Sequence, residues 1–246
     1  MFGPAIDKYA SPPHAYALAG RLIPWFAWCS VALFAGGILG GLYFSPADYE
    51  QGEAYRILYV HVPAAWMSMF VYVVMASAGA AGLVWKVKIN DALARSCAPL
   101  GASFTFLALL TGSIWAKPMW GTWWAWDARL TSELILLFLY LGYMALQSAI
   151  EDRRTAARAG AILALVGVVN IPIIHFSVEW WNTLHQGPTV TDFDKPSIHV
   201  SMLVPLLFMA LAYTSYFVTM LLVRTRTEIL DQERRAVWVR ELNPGE

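Results

Sequence analysis

Six long apolar stretches separated by short polar segments organise this chain. They run Leu22–Phe44, Val60–Trp85, Ala98–Trp115, Leu134–Ile150, Ala159–Val178 and His199–Val223. Each approaches the roughly 20 residues that a helix needs to cross the hydrocarbon core of a bilayer. The runs are continuous rather than alternating, which favours helices over a closed barrel, the other fold able to satisfy its backbone in lipid. The pattern predicts an all-α integral membrane protein with six transmembrane helices. No connection is long enough for a separate soluble domain, so residues 1–246 are expected to form a single membrane domain. The first run begins only at Leu22 and lacks a small-residue cleavage pattern, so it is expected to be a retained span rather than a signal peptide.

Composition agrees with the pattern. Of 246 residues, 58% are hydrophobic and 14% charged, and the mean hydropathy is +0.51, well above a soluble composition. The formal net charge of +0 gives no support to a nucleic-acid partner. Placement of charge is more informative. With the N-terminus inside, Lys86, Lys88, Arg95, Arg153, Arg154, Arg158 and the basic residues from Arg224 onward fall on the inner side with Lys8 and Arg21. Only Arg56, Lys117, Arg129 and Lys195 fall outside, as the positive-inside rule requires. Three loops then face outward: Ser45–Tyr59, Ala116–Glu133 and Glu179–Ile198. Cys29 and Cys97 belong to no CxxC or CxxCH pattern, so no disulfide framework, zinc site or covalent haem attachment is expected. No phosphate-binding loop is present, which excludes ATP hydrolysis by that route.

The middle loop contains WGTWWAWDARLTSEL, four tryptophans and an aspartate in the eight residues from Trp120 to Asp127. If this stretch is helical, Trp120, Trp123, Trp124 and Asp127 share one face, with Trp126 projecting elsewhere. Such a face suits a large planar ligand, with Asp127 and Arg129 supplying charge at its edge. The alternative is an interfacial aromatic belt, although a belt needs no such density in one short loop. The flanking loops each bring a histidine to the same side. His61 precedes Pro63 at the start of a helix, and His185 precedes the Gly187–Pro188 turn. Two imidazoles arriving from opposite sides of an indole cluster suit axial ligation of haem iron; either alone would read as a hydrogen-bonded interfacial residue. His199 is a competing candidate, and His175, inside the fifth run, reads as polar glue or a supporting partner. Arg56 and Arg129 are the outward arginines available to haem propionates. Each could instead be a solvated charge or pair with Glu53 or Asp127.

The stretch WGTWWAWDARLTSELILLFLYLGY resembles the WWD signature of the haem-handling proteins of cytochrome c biogenesis. LYVHVP and VEWWNTLHQG extend the likeness over almost the whole chain, which is similar to the CcmC (haem exporter protein C) family. The resemblance implies a bacterial inner-membrane protein, both termini cytoplasmic, with a periplasmic WWD segment, residues 115–133. It implies that haem b, held non-covalently in transit, is ligated by His61 and His185 against Trp120, Trp123, Trp124 and Trp126, with Asp127, Arg56 and Arg129 at its edge. It further implies delivery of haem to the chaperone CcmE within a complex containing the ABC subunits CcmA and CcmB and the small protein CcmD. No catalytic residue and no enzymatic activity are expected. The alternative is a permease subunit of an ABC transporter, exporting haem or another substrate, with no haem site of its own.

Overall fold

The computed structural model describes residues 11–181, 183–185 and 198–242. Helix α1 (Pro12–Leu39) starts behind Ser11 with two prolines, which fit the first helical positions because those N–H groups have no intrahelical acceptor. It ends in a widened π turn, Gly40–Phe44. A 3-10 turn, Glu53–Ile57, leads into α2 (Leu58–Trp85). Then follow α3 (Lys88–Trp120), α4 (Ala128–Ala149), α5 (Arg153–Gly167), α6 (Asn170–Trp180), α7 (Val200–Gln232) and the short α8 (Val237–Arg240). All six predicted runs lie in helices long and apolar enough to cross a membrane, α5 and α6 together making the fifth span.

The elements differ from the predicted runs at their ends. Helix α3 starts ten residues before Ala98 and α7 continues past Val223 to Gln232, because helices outlast the apolar core of a bilayer where ion pairs support their polar turns. At this end Lys88 pairs with Glu233 at 2.7 Å, Arg95 with Glu228 at 3.3 Å, and Arg153 with Asp231, tying α3 and α5 to α7. The fifth span, predicted as one helix, breaks after Gly167. Pro172 has no N–H to bond the carbonyl four residues earlier, at the break. The loosened turn is held by Asn170, whose buried side chain donates to the carbonyl of Ser132 in α4 at 2.9 Å.

Helices α2 and α3 form the centre. Helix α1 packs along α7, α4 along α3, and the α5–α6 span against α2 and α4. Between helices with no water to expel, close backbone approach supplies the contact. A Cβ on Gly101 would sit 2.0 Å from the Tyr140 ring, so only glycine lets α3 accept that tyrosine. The Tyr140 hydroxyl in turn donates to Ser68 O of α2 at 2.7 Å, joining three helices at one residue. The buried core is built from Tyr72, Met75, Leu136, Tyr140, Ile174 and Leu206, while Trp25, Val31 and Phe138 are exposed on the outer faces, where lipid would cover them. Six antiparallel spans put the connections at residues 45–57 and 121–127, together with His185 and His199, at one end of the bundle, while Lys195 and the Gly187–Pro188 turn lie outside the described residues. The candidate residues all belong to that end.

Candidate functional site

The Trp-rich stretch is not a continuous helix. Gly121, at φ +76, ends α3 and returns its N–H to Lys117 O at 3.1 Å; a residue with a Cβ would be strained there. Residues 121–127 are irregular, and α4 begins only at Ala128. The expected helical face of Trp120, Trp123, Trp124 and Asp127 is therefore replaced by a tight loop between two helix ends, for a backbone reason that side-chain spacing does not reveal. Trp120 closes α3 and lies edge-on to the His185 ring, centroids 4.9 Å apart. Trp124 packs against Trp126 at 5.4 Å, with its own Nε1 buried and without a hydrogen-bond partner among the described residues. Trp123 is 56% and Trp126 78% exposed.

Asp127 joins this loop to the third one. Its Oδ1 accepts from Leu130 N at 2.8 Å and caps α4, while its Oδ2 lies 3.2 Å from His185 Nδ1. The Asp127 side chain is only 8% exposed and that of His185 18%. A carboxylate at Nδ1 selects the tautomer that donates from Nδ1 and leaves a lone pair on Nε2. Burial pushes the His185 imidazole below its ordinary range; Asp127 pulls it upward against that, and Arg129 adds to the lowering. The ring is thus neutral at pH 7 and free to act as a ligand.

His61 is prepared in the same sense by a different element. It lies in the first turn of α2, as predicted, and its Nδ1 is 3.0 Å from Ala108 O and 3.1 Å from Thr111 Oγ1 of α3. The backbone carbonyl accepts from Nδ1, which again leaves Nε2 with the lone pair and with no hydrogen bond among the described residues. Thr111 gives its own hydroxyl proton to Leu107 O at 2.7 Å. A Cβ on Gly112 would sit 2.9 Å from His61 Cε1, so glycine leaves room for the ring against α3. Trp115 covers another side, edge-on with centroids 5.7 Å apart. Its Nε1 donates to Gln51 Oε1 at 3.0 Å, in a loop shaped by Asp48, which accepts from the N–H groups of Glu50 and Gln51. His61 and His185 are close enough for their charges to interact, and Arg129 acts on both.

The two arginines have different surroundings. Arg56 pairs with Glu53 and donates to Gly41 O at 2.6 Å and Ser45 O at 3.1 Å, fastening the end of the first span to the 3-10 turn. Arg129 feels the charges of Asp127 and Glu133 but has no carboxylate within 4 Å among the described residues. His199 caps α7, its Nδ1 accepting from Ser201 N at 3.3 Å. His175 is exposed beside Phe176, apart from the contacts that hold His61 and His185. Thr111, Gly112, Trp115, Gln51 and Glu133 were missed in the sequence. Thr111 and Gly112 lie four and three residues before Trp115 on α3, which is helical spacing, and Glu133 is an acid at the head of an apolar run; both signals were there to be read.

Among the described residues no three His, Cys, Asp or Glu side chains gather as a set able to hold a bare metal ion. Two prepared imidazoles instead match a macrocycle that supplies its own four equatorial nitrogens and needs only axial ligands.

Comparisons with known proteins give the family. The family model for Heme exporter protein C matches residues 5–240. The chain is 53% identical over 237 residues to Heme exporter protein C of Escherichia coli strain K12 and 52% identical over 237 residues to that of Haemophilus influenzae, covering 96% of both chains in each case. It is 44% identical over 197 residues to a putative cytochrome c biosynthesis ccmC-like mitochondrial protein of Marchantia polymorpha, covering 80% of this chain and 81% of that one. Near full-length agreement of this kind, on a six-span helical bundle, places the chain in the Heme exporter protein C family of membrane proteins that handle haem in cytochrome c maturation.

Proposed function

We propose that this protein holds haem at the periplasmic face of the bacterial inner membrane and passes it to a haem chaperone, CcmE in the family's terms, in a complex with CcmA, CcmB and CcmD. The observation that carries the reading is the matched preparation of two imidazoles. Each has its Nδ1 committed, His61 to a backbone carbonyl and His185 to Asp127, and among the described residues neither Nε2 has a hydrogen-bond partner. Iron held between them sits beside Trp115 and Trp120, whose rings already flank the ligands. Arg129 serves a propionate. Arg56, occupied by two carbonyls and Glu53, shapes the loop and contributes at most its remaining N–H groups. Haem b in transit is cargo here, bound without a covalent bond.

The chain acts by positioning and not as an enzyme. Dispersion against the indoles holds the macrocycle, and the imidazoles fix its depth. A site built from loop 121–127 and helix ends, rather than between mid-membrane helices, leaves an edge of the porphyrin within reach of a soluble partner. The lysine and arginine asymmetry orients this end outward.

The test is the visible absorption spectrum of the purified full chain, wild type beside His61→Ala and His185→Ala, expressed with and without the chaperone. A haem spectrum in wild type that weakens or shifts in each variant is expected. Wild-type haem content and chaperone loading in both variants would remove the axial assignment, and a haem-free wild type under both conditions would favour a permease subunit instead.

A further inference from the structure

Glu133 is the acid that neither the fold nor the site so far accounts for. It is 7% exposed, lies inside the fourth span one turn deeper than Arg129 on the same face of α4, and its Oε1 has no hydrogen-bond partner among the described residues. Its carboxyl interacts with the Ser68 hydroxyl of α2 and with the Arg129 charge. The Ser68 hydroxyl, however, is spent on Ala65 O at 2.8 Å. An ionisable group buried in a helix able to cross a membrane is costly to keep and marks function by default. Fold stability gives no reason to keep a half-satisfied carboxyl where an apolar side chain of equal size would pack.

We propose that Glu133 is a resting counter-charge for Arg129 that competes with the haem propionate for the same guanidinium, and so keeps the held haem exchangeable. The inference rests on the haem site proposed above. Arg129 lies one helical turn from Glu133 on α4 with no carboxylate within 4 Å among the described residues, and Asp127, two residues before it, is already committed to His185 and to the α4 cap. A propionate arriving at Arg129 adds a further negative charge to a cluster with one permanent cation. The guanidinium drawn outward leaves the Glu133 carboxylate less compensated in a low-dielectric interior. That penalty opposes binding and is relieved on release. A carrier that must surrender its cargo benefits from such a term, whereas a permanent haem protein would not.

The experiment measures haem loss from the full-length, haem-loaded chain in detergent micelles to excess apomyoglobin, followed by visible absorption. Glu133→Gln keeps size and hydrogen bonding and removes the charge. Loss is expected to slow by about tenfold, an ordinary coupling for two groups sharing one partner, and the effect should vanish when Arg129→Gln is also present. Glu133→Leu carries the same expectation should the amide variant fail to fold. A structural role would give the opposite sign. Haem loss at the wild-type rate or faster in a folded variant, or a slowing that persists undiminished without Arg129, overturns the inference and leaves the two-histidine site standing. A wild-type chain that carries no haem sinks both.

Discussion

Asp127 performs two tasks with its two oxygens, and substitutions can separate them. Oδ1, 2.8 Å from Leu130 N, caps α4; N-caps of this kind contribute about 1 kcal/mol. Oδ2, 3.2 Å from His185 Nδ1, orients the ring and fixes its tautomer. Losing such a supporting partner typically costs a metal site about 10- to 100-fold in affinity, or about 1.4 to 2.7 kcal/mol. Serine caps a helix about as well as aspartate but is too short to hold His185. Asp127→Ser should therefore unfold within about 0.5 kcal/mol of wild type while its haem affinity falls about 10- to 100-fold. Asp127→Ala should show the same haem defect and also lose about 1 kcal/mol of stability. Haem titration by absorption and thermal unfolding by circular dichroism, in one detergent, read the two effects side by side.

Acidification supplies a further readout on the same variant, with its own sign. Burial holds His185 below the ordinary imidazole range and Asp127 pulls it up. The neutral, ligand-competent ring is present at pH 7 and is lost as pH falls through that lowered value. Removing Asp127 withdraws the upward pull, so haem loss on acidification should begin at lower pH in Asp127→Ser even though affinity at neutral pH is weaker. Wild-type haem affinity in Asp127→Ser would refute the claim that the carboxylate prepares His185.

Two further substitutions probe the supports of the site. Gly112→Ala places a methyl group where a Cβ comes 2.9 Å from His61 Cε1, so the ring must shift; haem content of the purified protein should drop severalfold while its helical circular dichroism and elution volume stay unchanged. Arg56→Gln removes the donors to Gly41 O and Ser45 O and should lower the thermal midpoint by an amount corresponding to about 1 to 3 kcal/mol. Arg129→Gln, which loses no such bonds, should leave the midpoint in place and reduce haem retention; the reverse pattern would exchange the roles given to the two arginines.

The sequence by itself determined the membrane class, the six spans and the side on which His61, Trp120 and His185 would meet. These follow from quantities that add along the chain: apolar length, charge placement, and the parity of crossings. It also placed His61 near the start of a helix, because Pro63 follows it and proline favours helix beginnings. What only the tertiary structure decided was the pairing of groups distant in sequence. The indole spacing in Trp120–Asp127 fitted a helix, yet Gly121 and the Asp127 cap divide it between α3 and α4, since backbone conformation at one residue outweighs side-chain periodicity. Asp127 looked like charge at the edge of a platform and proved to be bonded to His185, 58 residues away. Arg56 and Arg129 were equivalent as sequence, and only their neighbours separated them. Glu133 was legible as an acid at the head of an apolar run one helical turn from Arg129, but that it is buried with an oxygen unpartnered among the described residues depends on how α2 and α4 pack.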